Sequence, residues 1–251
     1  MNPTLGVNID HIATLRQLRG TPYPSLLEAA AICERAGAKQ ITVHLREDRR
    51  HIQDKDVVDL RKAIGVPLNL EISLAPKMLK IACKIRPDWV CLVPEKRQEV
   101  TTEGGLDVRK QRSRVVKAIE AFKKAGVKVS LFVEPDAKLM KVCKDVGAQA
   151  VELHTGRYCN AAQGAYGARS KKIQDQELKR IAAAARAAQD LGLRVNAGHG
   201  FDYTNIKAVL AIIDVRGTPI IEEYNIGHVI VCRAAIVGLE QAVREMVAVI
   251  R

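Results

Sequence analysis

The sequence predicts a (β/α)8 barrel, on three observations. Eight short apolar runs alternate with longer segments of helical periodicity. In five of these units a glycine ends the helix, an apolar strand follows, and a His or Glu comes six to eight residues later. The pairs are Gly37 with His44, Gly65 with Glu71, Gly126 with Glu134, Gly147 with His154, and Gly192 with His199. The 251 residues contain no Pro/Gly/Ser-rich linker, so residues 1–251 read as one domain. A doubly wound open sheet is the runner-up, but it would carry a glycine-rich fingerprint after its first strand. Asn8-Ile9-Asp10-His11 has none.

The first strand, Leu5 to Ile9, ends in Asp10-His11, and a loop is expected through Arg16 and Arg19-Gly20. Ser25 and Glu28, in capping-box spacing, start a helix that stops near Gly37. The second strand, Gln40 to His44, breaks into the polar run Leu45 to His51. A helix from Asp54 to Ile64 follows. The third strand, Pro67 to Glu71, ends in a carboxylate, and Pro76 opens the next helix. The fourth strand is Trp89 to Val93. A long polar loop, Pro94 to Gly105, leads to a helix that Asp107 is expected to cap, with Val108, Val115, Ile119 and Phe122 on one face. Lys128 to Val133 is the fifth strand, then a helix from Asp136 to Val146, then the sixth strand, Ala150 to His154. A Gly/Ala-rich loop is expected to about Lys172, before a helix through Leu178, Ile181, Ala185 and Ala188. Leu193 to Ala197 is the seventh strand and runs into Gly198-His199-Gly200, and a helix covers Tyr203 to Ile213. Glu223 to Ile226 is the eighth strand and ends in Gly227-His228. One helix is expected from Val229 to Ile250, although Val229-Ile230-Val231 could extend the strand.

Composition narrows the function classes. The formal charge is +12 and the pI about 9.5, which attracts anions of any kind. Aromatics are only 4% of residues and the basic residues are scattered, so a nucleic-acid surface is a weak alternative. Six cysteines, with no Cys-x-x-Cys pair, suit a reduced cytoplasmic protein. No signal peptide or membrane-spanning run is expected.

All six histidines (His11, His44, His51, His154, His199, His228) fall at or just after a predicted strand end. In a barrel those ends converge on the catalytic face. Imidazoles there suit proton transfer near neutral pH. Glu71 and Glu152 sit in apolar strands, where a carboxylate is costly without a task or partner. Simpler roles remain open: His154 could bridge a loop, Glu134 could cap the next helix, and His11 could bond a neighbouring carbonyl. The glycine turns at Gly198-His199-Gly200 and Gly227-His228 lie where barrels often hold phosphate. The loop with Arg46, Arg49, Arg50 and His51 could hold a second anion. Three other chemistries fit worse. Lys96 is the one lysine near a strand end for a Schiff base, no two histidines have a short chelating spacing, and no Gly-x-Ser-x-Gly elbow occurs.

These residues resemble the pyridoxine 5′-phosphate synthase family, the last ring-forming enzymes of one vitamin B6 pathway. The matching segments are Gly6 to Arg16, Ile41 to His51, Asn69-Leu70-Glu71, Val93 to Asp107, Val195 to Gly200, and Asn225 to His228. The resemblance implies condensation of 1-deoxy-D-xylulose 5-phosphate with 3-amino-2-oxopropyl phosphate, giving pyridoxine 5′-phosphate, phosphate and water. It implies no metal and no cofactor. It further implies His44 as general base, Glu71 as second base, His199 as proton donor and Glu152 as transition-state stabiliser. Asp10, His11, Arg46, His51 and Thr101 would bind the pentulose phosphate. Asn8, Arg19, Gly200, Gly227 and His228 would bind the amino-ketone phosphate. The stretch Glu95 to Gly105 resembles the family's closing lid, and its two glycines could be a hinge or a plain turn. The family is homo-oligomeric, typically octameric. Two stretches depart from the family pattern by their length, Asn160 to Gly167 and Ile213 to Pro219. The alternative reading is another phosphate-binding barrel, an isomerase or lyase acting on one sugar phosphate.

Overall fold

The computed structural model describes residues 2–94, 104–163 and 170–251. Its eight strands are β1 Thr4–Asn8, β2 Gln40–His44, β3 Leu68–Ile72, β4 Trp89–Leu92, β5 Lys128–Val133, β6 Ala150–His154, β7 Arg194–Gly198 and β8 Glu223–Ile226. They pair in parallel in sequence order and close on themselves, β8 against β1 with Thr4 opposite Glu223 and Val7 opposite Ile226. The (β/α)8 expectation is therefore met. Among the described residues no helix is long and apolar enough to cross a membrane.

Alternation along the strands sorts the side chains. Ile41, Val43, Leu68, Leu70, Val151 and Leu153 point outward and join one large core beneath the helices. Inside the barrel the buried side chains are mostly polar: Gln40, Thr42, His44, Asn69, Ser130, Glu152, Asn196, Glu223 and Asn225. A small apolar group of Cys91, Val93 and Phe132 shares that interior. Barrels of this type usually fill their bore with branched apolar residues. Here a polar column runs from the catalytic mouth toward the opposite face. There Trp89 lies between Lys128 and Arg194, 5.3 and 5.5 Å from its ring centre.

The helices show where residue patterns mislead. Residues expected as a loop after β1 form α1, Asp10–Arg19. Asn8 Oδ1 accepts the Asp10 N–H at 2.9 Å, an acidic residue opens the first turn, and Gly20 closes the last at φ +63°. Only Asp10, Ile12 and Ala13 are buried on α1, so its apolar stripe is too narrow to read. Helix α2, Leu26–Arg35, is capped as expected, the Ser25 hydroxyl accepting the Glu28 N–H at 3.3 Å. Helices α3, Asp54–Ala63, and α4, Pro76–Ile85, follow the expectation closely. Asp107 caps a turn rather than a helix: it accepts the Lys110 N–H, and α5 begins at Arg112 and runs to Ala125. Helix α6 is Ala137–Asp145, capped by Asp136.

The stretch after β6, expected as a loop, contains α7, Gly156–Gln163; residues 164–169 lie outside the described residues. Helix α8 spans Lys171–Asp190. The helix expected from Tyr203 shrinks to α9, Ile206–Leu210. Asp202 Oδ1 accepts the N–H groups of Thr204 and Asn205 and holds those residues as a turn. The final helix is two, α10 His228–Val237 and α11 Leu239–Ile250. They break at Gly238, whose φ of +85° no helix residue adopts. Val229 to Val231 belong to α10 and do not extend β8.

Replacing Ser25 by Ala should cost about 1 kcal/mol of stability, measured by urea unfolding, with turnover unchanged. Lost turnover at unchanged stability would contradict a purely capping role.

Candidate active site

The strand ends of β1, β2 and β3 build the centre of the site. Asp10, His44 and Glu71 each bring one N or O atom within 4.8 Å of the others. The His44 Nδ1 lies 3.8 Å from Glu71 Oε2. Asp10 is fixed from two sides: its Oδ1 accepts the His44 backbone N–H at 2.8 Å and its Oδ2 accepts the Asn8 amide at 2.9 Å. The His44 Nε2 is buried and, among the described residues, has no hydrogen-bond partner. Such a nitrogen carries a penalty that a bound substrate can remove. The same three groups have the donor types and spacing of a divalent-cation site. They are equally a set of proton acceptors and donors.

Glu152, 3% exposed, lies deeper. Its Oε2 accepts the Asn225 amide at 2.7 Å. The Asn225 carbonyl in turn accepts from Thr42 at 3.1 Å and Gln40 at 3.4 Å. Two glycines make room for this arrangement. A Cβ on Gly198 would stand 2.4 Å from Glu152 Oε1, and one on Gly6 would stand 2.2 Å from Asn225 Oδ1.

Around this centre lie the other rings. His11 and His228, in the first turns of α1 and α10, meet edge to face at 4.8 Å. The His51 and His44 rings are 6.3 Å apart. The His51 Nδ1 accepts the Ile52 N–H at 2.9 Å, which leaves Nε2 as the protonated nitrogen of the neutral ring. His199, at φ +82°, follows β7 and packs against His154 and Phe132.

Burial sets the proton affinities. It pushes the Asp10 carboxyl up to about 7, against the pull of the His44 N–H, the Asn8 amide and Arg46. It raises Glu71 well above the usual carboxylate range, with Glu152 and Asp10 adding repulsion. Glu152 rises to about 7 by burial, the Asn225 bond opposing and Glu223 adding. The histidines move the other way. Burial first, then Arg46, takes His44 down to about 3 and His51 to about 4. His199 is lowered by desolvation and then by His154, and His11 by desolvation and then by His228. Near neutral pH His11, His44, His51 and His199 are thus uncharged, beside the Asp10 and Glu152 carboxyls that exchange protons in that range.

Geometry of this kind admits several barrel chemistries, and comparison with known proteins decides between them. The sequence profile of the family described as "Pyridoxal phosphate biosynthesis protein PdxJ" matches residues 5–251. This chain belongs to that family. It is 51% identical over 247 residues to the pyridoxine 5′-phosphate synthase of Trichlorobacter lovleyi, covering 98% of each chain. It is 50% identical over 242 residues to the protein of the same name from Coxiella burnetii, covering 96% of this chain and 95% of that one. Among solved structures it resembles a 4-hydroxy-2-oxoglutarate aldolase/2-deydro-3-deoxyphosphogluconate aldolase from TTHB1. That likeness has a TM-score of 0.60 at 14% identity, covers 98% of this chain and 94% of that one, and concerns the fold alone.

Of the residues singled out by resemblance to the family, the structure gathers most at one mouth. Asn8, Asp10, His11, His44, Arg46, His51, Glu71, His199, Gly200, Gly227 and His228 sit at or beyond the C-terminal ends of strands, and Glu152 lies below them in the middle of β6. A Cβ on Gly227 would meet Asn8 O at 2.8 Å, so β8 and β1 close tightly there. Gly200, at φ +87°, packs on Cys159. Arg19 is exposed at the far end of α1, roughly 13 Å along the helix from Asp10. Thr101, and residues 95–103 of the expected lid, lie outside the described residues. Arg49 is engaged by Asp54 at the start of α3 and Arg50 by Asp48 within the loop. The residue list from the sequence omitted Asn225, Glu223 and the pair His154–Glu134, although the glycine rhythm had marked His154 and Glu134.

These proton affinities fix a pH dependence of stability. Folding raises Glu152 from 4.5 to about 7, so the native state binds more protons across that interval. The contribution is full below it and is lost as pH rises through it. Glu152→Gln removes that loss. Its unfolding free energy should gain on the wild type from pH 5 to about pH 7 in urea titrations and level off above that; a constant offset throughout would contradict the assignment.

Proposed function

We propose that this chain is a pyridoxine 5′-phosphate synthase in which acid–base groups at the barrel mouth join two phosphorylated substrates. The amine of 3-amino-2-oxopropyl phosphate condenses with the ketone of 1-deoxy-D-xylulose 5-phosphate. Phosphate loss, hydration and ring closure then give pyridoxine 5′-phosphate, phosphate and water. The observation that carries this reading is the convergence of Asp10, His44 and Glu71 within 4.8 Å in a chain of this family.

The route needs several proton transfers in one enclosed place. A neutral His44 with an unengaged Nε2 suits the role of general base. Glu71, its proton affinity raised by burial, suits a second base that later returns the proton. His199, at the end of β7, is the proton donor; its ring is uncharged in the free site, so it first takes up the proton that it later gives. Glu152, held by Asn225, faces charge that develops on the closing ring.

Asp10, His11, Arg46, His51 and Thr101 bind the pentulose phosphate. Asn8, Arg19, Gly200, Gly227 and His228 bind the amino-ketone phosphate, with the N-terminus of α10 directly after Gly227 favouring an anion. The protein works in the cytoplasm as a single-domain protomer of a homo-oligomer, octameric by resemblance. Its six free cysteines agree with a reducing compartment.

Purified protein should release pyridoxine 5′-phosphate and phosphate only when both substrates are present. Turnover of either alone, without ring product, would instead support a one-substrate isomerase or lyase. His44→Asn and Glu71→Gln should each lower kcat by roughly 10²–10⁴, and wild-type rates in either would remove that residue from the mechanism.

A further inference from the structure

The proton donor assigned above, His199, lacks the support that catalytic imidazoles usually have. Among the described residues no hydrogen bond holds its ring, and its backbone sits at φ +82°, a strained conformation for a non-glycine residue. One Thr155 hydroxyl fixes the backbone around it, lying 2.7 Å from both the Gly198 and the His199 carbonyl. The ring itself is set by packing. Phe132 lies 5.7 Å away and His154 5.3 Å away, the latter edge to face at 66°.

Of those two neighbours, His154 is the one that is itself oriented. It is 7% exposed, and its Nδ1 lies 2.8 Å from Glu134 Oε1. Glu134 is held below the usual carboxylate range, first by His154, so the carboxylate accepts and Nδ1 donates. The same Oε1 accepts the Gly105 N–H at 3.1 Å, and Arg180 Nη2 stands 3.7 Å from Oε2. The other edge of the His154 ring is wedged: a Cβ on Gly156 would fall 2.7 Å from its Nε2. A Cβ on Gly105 would fall 2.3 Å from Glu134 N. Both glycines therefore shape the seat of this pair.

We infer that Glu134 and His154 form a carboxylate–imidazole pair that positions the His199 ring for its proton transfer. The logic is that of a carboxylate orienting a catalytic imidazole, with one further imidazole interposed. The inference rests on the functional reading above. Charged and titratable groups facing the pair are His199 from the end of β7, Arg157 on α7, and Glu177 and Arg180 on α8, with Arg157 and Arg180 paired to Glu177. A plain loop brace between β5 and β6 would look similar, and kinetics separate the two.

Two variants test it. Glu134→Gln keeps the shape and an acceptor oxygen but removes the charge. His154→Asn keeps an N–H near the Nδ1 position but removes the ring. Each should lower kcat at least tenfold while KM for both phosphorylated substrates stays within twofold, and Glu134→Asp should recover much of the loss. In His154→Asn the pH–rate limb belonging to His199 should move upward, because burial chiefly lowers its proton affinity and the further lowering from His154 is gone. The two losses should not add in the double variant. Wild-type kcat and pH profile in both single variants, with only a lowered melting temperature, would overturn the inference and leave a structural brace. Failure of both variants to fold would do the same. Absence of ring product from the wild type would overturn the functional reading, and this inference with it.

Discussion

Glu152 can lie at the centre of the barrel because the Asn225 amide donates to it. That amide is itself held, its carbonyl accepting from Thr42 and Gln40. Thr42 accepts from Asn69, and Gln40 reaches on to Glu223, which Arg194 also meets. A buried polar group without a partner costs several kcal/mol in an apolar medium, so each member of this network makes the next tolerable. Gly6 and Gly198 are the spatial condition for it, since a methyl group at either position would displace Asn225 or Glu152. The catalytic layer rests on that column as much as on the helices outside.

The electrostatics of the mouth follow from the same enclosure. Desolvation penalises any charge, so the Asp10 and Glu152 carboxyls rise to about 7 while His44 and His51 fall to about 3 and 4, which reverses the ordinary order of acid and imidazole. The lowered imidazoles of the free site are thereby uncharged, and its standing charge includes Arg46, which acts on Asp10, His44 and His51 alike. Charge arrives with the substrates, both of which carry phosphate, and the surrounding basic surface of a +12 chain draws them in. A centre of this kind keeps its titratable groups available for proton exchange instead of locking them in strong ion pairs. The tight ion pairs lie outside it, as in the two-pronged contact of Arg16 with Asp56 between α1 and α3.

The barrel was legible because strand burial leaves continuous apolar runs and because glycines mark helix ends. His44, Glu71, Glu152 and His199 stood out because ionisable residues at apolar strand ends need a reason. What the sequence hid is equally specific. Helix α1 buries too few side chains to show a stripe, and it begins from an Asn8–Asp10 turn instead of a Ser or Thr cap. Helix α7 starts on a glycine. The break at Gly238 turns on backbone conformation, which no apolar pattern reports. Asn225 is an ordinary amide in a short strand, and its role appears only when β6, β2 and β8 are brought together. Glu134 and His154 were visible singly, 20 residues apart, but their contact depends on the register of β5 with β6.

The closure of β8 onto β1 also has a kinetic side. Thr4 and Glu223 are paired across almost the whole chain, the costliest kind of contact to bring together during folding. Synthesis makes the first seven strands before Asn225, so for that interval Glu152, Thr42 and Gln40 lack the amide that joins them. The nascent chain can assemble its outer apolar core early, but the polar bore is completed only when the final strand arrives. Assembly of the active centre therefore waits on β8, later than the apolar core that the earlier strands and helices can form among themselves.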